Sequence, residues 1–180
     1  MKKLSVLLIT TLLVSSCSSP TPESSAGFVP GCGQIKLLDN PGKSTLMPCL
    51  DGEASINFHQ LKGPMVINVW GSWCEGCKEE MPYFVDLYKT NLFESGQIQL
   101  LGINVEESSK EDAIQYIRKS RMSWPHLEDL GGISKSIFGP GVPVTWFIDE
   151  AGKNVGTKIG AYTNKKELFE QVEKAFGIRL

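Results

Sequence analysis

The sequence predicts an α/β domain with a mixed central sheet, helices on both faces and a short N-terminal extension, and three observations predict it. GPMVINVWGS, from Gly63, is a near-continuous apolar run rich in Val and Ile, the pattern of a strand buried on both faces. Behind it the apolar positions Met81, Phe84, Val85, Leu87 and Tyr88 fall at roughly helical spacing. Strand and helix then recur, and the chain closes with two strands and a last helix. A βαβ unit followed by a ββα unit puts parallel and antiparallel strands in one sheet.

The elements follow in chain order. MKK is a basic n-region and LSVLLITTLLV an apolar h-region; Ser15 and Ser16 are small residues ahead of Cys17. Residues 1–16 therefore read as an export signal, too short for a membrane-spanning helix. VSSC, Val14 to Cys17, resembles the lipobox of bacterial lipoproteins, which implies lipidation of Cys17; the alternative is cleavage nearby with an incidental cysteine. Residues 17–31, rich in Ser, Pro and Thr, bury too little apolar surface to fold and read as a tether. The domain is expected over 32–180, long enough for a sizeable core.

Within it, QIQLLGINVEE reads as a second buried strand and SSKEDAIQYIRKSR as a helix opened by a Ser cap with an acidic first turn. GGISKSIFG is a short helix. PVTWFIDEAGKNVGTKIGAY gives two strands about a Glu-Ala-Gly-Lys turn, and NKKELFEQVEKAFG the closing amphipathic helix. A net charge of -2 without a basic run argues against nucleic acid as a partner. Neither a phosphate-cradling glycine motif nor an internal repeat is present, and no cofactor is expected.

Five cysteines is an odd number for an exported protein. Lipidation of Cys17 accounts for the leftover one, leaving Cys74 with Cys77 and Cys32 with Cys49 in a compartment where disulfides persist. A zinc site would need two further ligands, and His59 and His126 stand far apart without a ligand spacing, so no metal is expected. Both histidines read as surface or satisfied core residues.

The spacing of WCEGC carries the chemistry. The cysteines sit where a strand hands the chain to a helix N-terminus, whose unpaired N–H groups and dipole favour an anion. Cys74 is thus the expected thiolate nucleophile, and Cys77, one turn on, the thiol that resolves its mixed disulfide. A structural disulfide gains nothing from that placement, because so short a loop constrains the unfolded chain little. Cys32 and Cys49 lie in a Gly- and Pro-rich extension with no activated helix terminus, which suits a staple of roughly 3 kcal/mol in the chain-entropy model. A second redox relay is the alternative.

WCEGC, the proline of EEMP in the following helix, and GVPVTWFID resemble the thioredoxin superfamily, specifically the membrane-anchored TlpA/ResA-like thiol-disulfide oxidoreductases, from Cys49 to the end of the chain. The resemblance implies a thioredoxin fold and a cis bond before Pro143, with Val142 and Pro143 forming a platform for a substrate strand; a trans proline opening a strand is the alternative. It also implies a flat aromatic contact at Trp73, which could instead be a packed surface aromatic. Asn68 stands where thioredoxins carry a buried aspartate, and Glu80 matches a glutamate of ResA-like proteins. Glu80 is therefore a candidate proton acceptor for Cys77, against a solvated helix-face charge. Pro82 is a structural device, and Gly76, where many relatives have proline, keeps the family's redox poise from being carried over.

The function implied is an extracytoplasmic, lipid-anchored bacterial thiol-disulfide oxidoreductase, at the cell surface or in the periplasm. Its partners would be exported proteins with cysteine pairs, such as apocytochrome c, and a membrane electron donor or acceptor. A reductase in cytochrome c maturation is the leading expectation. The alternatives are an oxidase forming disulfides in secreted proteins, a thiol peroxidase, disfavoured by Gly71 where such enzymes carry threonine, and a binding lipoprotein.

Overall fold

The computed structural model describes residues 29–39, 42–52 and 54–180. The signal, the lipobox with Cys17 and residues 17–28 of the expected tether lie outside the described residues. Within that tether, Val29 is buried in the core.

The order of elements is β1 (Leu46–Pro48), β2 (Ser55–Asn57), β3 (Met65–Trp70), α1 (Glu75–Tyr88), α2 (Asn91–Glu94), β4 (Gln99–Val105), α3 (Lys110–Ser120), β5 (His126–Asp129), α4 (Ser134–Phe138), β6 (Val144–Ile148), β7 (Asn154–Ile159) and α5 (Lys165–Phe176). Five strands form the main sheet in the order β5-β4-β3-β6-β7, with β3, β4 and β5 parallel and β6 and β7 antiparallel. This is the mixed sheet of a thioredoxin fold. The Ser109 hydroxyl caps α3 as the sequence expects, and the Asn164 amide caps α5.

Alternation along β3 decides what reaches the site. Val66, Asn68 and Trp70 face one side and Met65, Ile67 and Val69 the other, all buried. The first side packs against α1, α3 and α5 through Met81, Phe84, Ala113, Ile117, Leu168 and Val172. The second is covered differently from the expectation. Apart from α4, which brings Phe138, its cover is the N-terminal extension, with Met47, Cys49, Ile56, Phe58 and Leu61. The extension therefore shares the domain's core, because three parallel strands place both of their crossover helices on the first side and leave the second open.

β5 and the β1–β2 hairpin are additions to the sequence reading, as is the break that ends α1 at Tyr88 before α2. Gly102 of β4 shows a close approach: a Cβ there would lie 2.0 Å from Nδ1 of His126. His126 is buried, accepts a hydrogen bond at Nδ1 from Trp70 Nε1 (3.3 Å), and is pushed down to about 3 by burial, so it stays neutral. His59 hydrogen-bonds Thr45 at 3.1 Å.

Candidate active site

The C-terminal end of β3 delivers Cys74 to the mouth of α1. Its Sγ is the helix cap, accepting the Cys77 N–H at 3.1 Å, and the two cysteines form a disulfide with Cα atoms 5.3 Å apart. Cys74 keeps 6% exposure while Cys77 has none, so solvent reaches only the first cysteine. The Val142–Pro143 bond is cis, as is Gly63–Pro64. Pro143 lies against the active-site loop, since a Cβ on Gly76 would stand 3.5 Å from its Cδ and 3.4 Å from Cβ of Ala161.

Trp73 is half exposed and donates from Nε1 to the Val105 carbonyl at 3.3 Å, which fixes the ring beside the disulfide. With Val69, Val105, Phe138 and Val142 it lines a groove of about 40 Å³. Glu106 and Lys135 pair across the mouth of that groove.

Glu80, three residues after Cys77, is fully buried on the same face of α1. That burial rules out the solvated helix-face alternative. Asn68 donates from Nδ2 to Glu80 Oε1 at 2.9 Å, and the Tyr162 N–H donates to Oε2 at 3.0 Å. Desolvation dominates these bonds and raises the carboxyl from 4.5 to about 7. A carboxyl poised there exchanges a proton near neutrality.

A second carboxylate escapes the sequence reading. Glu107 accepts from the Ser72 N–H, from Ser72 Oγ at 2.7 Å and from Asn104 Nδ2 at 2.8 Å. It ties the Gly71–Trp73 loop to the end of β4. No local pattern marks it, because Ser72 is 35 residues away; an acidic residue just past a buried strand is the one hint.

Cys32 and Cys49 also form a disulfide, buried, with Cα atoms 6.2 Å apart. Among the described residues they make, with Asp51, a group of potential metal ligands within 4.8 Å of one another. Their sulfurs are bonded together, so neither thiolate is available to an ion.

The AhpC/TSA family matches residues 41–155. The chain belongs to that family. Among curated proteins it is similar to sporulation thiol-disulfide oxidoreductase A of Bacillus subtilis (strain 168), 26% identical over 121 residues, 66% of this chain and 72% of that protein. It is also similar to thiol-disulfide oxidoreductase ResA of Bacillus cereus, 31% identical over 121 residues, 65% of this chain and 66% of that protein. The chain thus spans roughly two thirds of the curated relatives it matches. Among solved structures, a secreted Mycobacterium tuberculosis disulfide oxidoreductase homologous to E. coli DsbE aligns with a TM-score of 0.62 at 19% identity, covering 73% of this chain and 96% of that one. That likeness shows the fold. The resemblance drawn from WCEGC and GVPVTWFID is borne out, and the chain falls among the thiol-disulfide oxidoreductases of the thioredoxin superfamily.

Proposed function

We propose that this protein reduces disulfides in exported proteins through Cys74 and Cys77, with Glu80 handling the resolving proton, as a step of cytochrome c maturation. The observation that carries the reading is the asymmetry of the pair and a near-neutral carboxyl on the same helix face: Cys74 keeps some exposure, Cys77 has none, and Glu80 is fully buried. In the reduced protein the Cys74 thiolate attacks a substrate sulfur, forming the mixed disulfide and releasing one substrate thiolate. Cys77 gives its proton to Glu80 and attacks Cys74, which frees the second substrate thiolate and closes Cys74 to Cys77. Two electrons pass to the substrate, and a membrane-bound dithiol partner restores them.

Val142 and Pro143 support the substrate strand in this reading, with Trp73 as the flat wall beside it. Export and anchoring through lipidated Cys17 put the reaction outside the cytoplasm, with residues 17–31 as tether and 32–180 as the catalytic domain. No helix among the described residues is long and apolar enough to cross a membrane. Against a peroxidase stands Gly71, where a Cβ would lie 2.6 Å from Nε1 of Trp73, so a threonine does not fit.

The test is turnover of insulin disulfides and of an oxidised CxxCH peptide, driven by a dithiol, beside consumption of hydrogen peroxide. Reduction of both disulfides without peroxide turnover is expected; peroxide consumption dependent on Cys74 would overturn the assignment. The direction is read from the reduction potential, which must lie low enough to reduce the peptide under the conditions used.

A further inference from the structure

Two consecutive backbone amides of one turn hold two carboxylates. The Tyr162 N–H donates inward to Glu80 at 3.0 Å, and the Thr163 N–H donates outward to Glu167 Oε2 at 3.1 Å. Lys158 of β7 pairs with the other oxygen of Glu167 at 2.8 Å and stands 5.6 Å from the centroid of the Tyr162 ring. The ammonium therefore lies against the residue whose amide grips Glu80. Both partners of the pair are only about a quarter exposed, so water screens their field incompletely.

We propose that Lys158 is a positioning residue of the redox centre: its charge, moderated by Glu167, eases the release of the proton from buried Glu80. This rests on the reading of Glu80 as the proton acceptor.

Asn68 from β3 and the Tyr162 amide from the turn hydrogen-bond Glu80 directly. The ionisable groups whose charges couple to it include Lys158 of β7, Glu167 of α5 and the Tyr116 hydroxyl of α3, while Cys77 lies one turn earlier on its own helix. Lys158 is the cation among them and favours the carboxylate; Glu167 opposes it. The signs follow. Removing the ammonium holds the proton on Glu80 to higher pH. Removing the Glu167 charge leaves Lys158 uncompensated and releases the proton at lower pH. A merely loosened turn does something else: admitting water lowers the carboxyl's proton affinity and weakening the Tyr162 bond raises it, so both variants shift in the same direction, whereas the two charges shift them in opposite directions.

The experiment follows the Glu80 titration by carboxyl carbon-13 NMR in the intact oxidised protein, with Lys158→Met, Lys158→Arg and Glu167→Gln, and records the pH profile of turnover for each. Lys158→Met should move the Glu80 midpoint up by about half a pH unit or more, Glu167→Gln should move it down, and Lys158→Arg should restore the parent value. An unchanged or lowered midpoint in Lys158→Met overturns the coupling. Should the NMR midpoints move as expected while the turnover profiles do not follow, Glu80 is not the proton acceptor and the role of Lys158 in the reaction falls with it. Lys158→Met in a Glu80→Gln background should leave the turnover profile where Glu80→Gln alone puts it.

Discussion

The molecule carries two disulfides whose surroundings differ at every point that matters to their chemistry. Cys74–Cys77 closes a loop with a sequence separation of 3 at a helix mouth, with the first cysteine slightly exposed and a buried carboxyl raised to about 7 on the same helix face. Cys32–Cys49 closes one of 17 inside the core, joining a 3-10 turn to the chain just after β1. That segment is bound to β5 by the Leu50 N–H donating to the His126 carbonyl at 2.8 Å. The longer loop gives the second bond leverage over the unfolded chain, and its burial denies it a partner. The first bond has the opposite endowment. On the proposed reading, location within the fold, more than the sulfur chemistry they share, makes one bond a reagent and the other a staple.

The sharpest way to break this comparison is to remove each bond. Cys74→Ser should abolish insulin turnover, whereas Cys32→Ala and Cys49→Ala should keep it at temperatures where the domain is folded. A relay would instead lose turnover in Cys32→Ala and Cys49→Ala when electrons come from the membrane partner, with stability nearly unchanged. In stability the order inverts. Either Cys32→Ala or Cys49→Ala should cost about 3 kcal/mol in urea unfolding, with the double variant no worse than a single one, since one bond is lost in all three.

Glu80 sharpens the contrast through pH. Its folded value of about 7 stands above the ordinary 4.5, so its contribution is fully present below about pH 4.5 and is lost as pH rises through about 7. The loss approaches about 3 kcal/mol on the alkaline side. Glu80→Gln stays neutral, so the oxidised variant should match the parent below pH 4.5 and exceed it by that amount above 7. Its turnover should slow and lose its break near neutrality. Denaturant curves and kinetics across pH check both.

The smallest effect is expected at Gly76. A Cβ there meets its neighbours at ordinary contact distance, so Gly76→Ala should gain about 0.5–1 kcal/mol from helix propensity without disturbing Pro143. Chemical denaturation of the oxidised protein reads it.

How far this is legible in the sequence depends on the range of the interaction. Cys74, Cys77 and the cap of α1 are local, and WCEGC between a buried strand and a helical pattern specifies them. Glu80 is legible as a position on the helix face, but its environment is not, because Tyr162 lies 82 residues away and only folding brings its amide to the carboxylate. Asn68 stands out as a substitution, while its bond to Glu80 needs the packing of β3 against α1. Glu107 and Ser72 stay invisible for the same reason. β5 leaves little trace because HLED is four residues long with Leu127 its one apolar residue, and β1 and β2 because three residues hold no period. The extension reads as having little core of its own; its apolar residues are too scattered to show a period, and only the open face of the sheet gathers them.

In the proposed mechanism Cys74 meets the substrate and Cys77 resolves it, and trapping separates the two roles. Cys77→Ser and Cys74→Ser are each expressed in an exporting host, quenched with acid and alkylating agent, and run without reductant. Mixed disulfides that collapse on reduction should accumulate on Cys74 in the Cys77→Ser variant and be nearly absent from Cys74→Ser. Equal trapping by both variants, or trapping by Cys74→Ser alone, would contradict the claim.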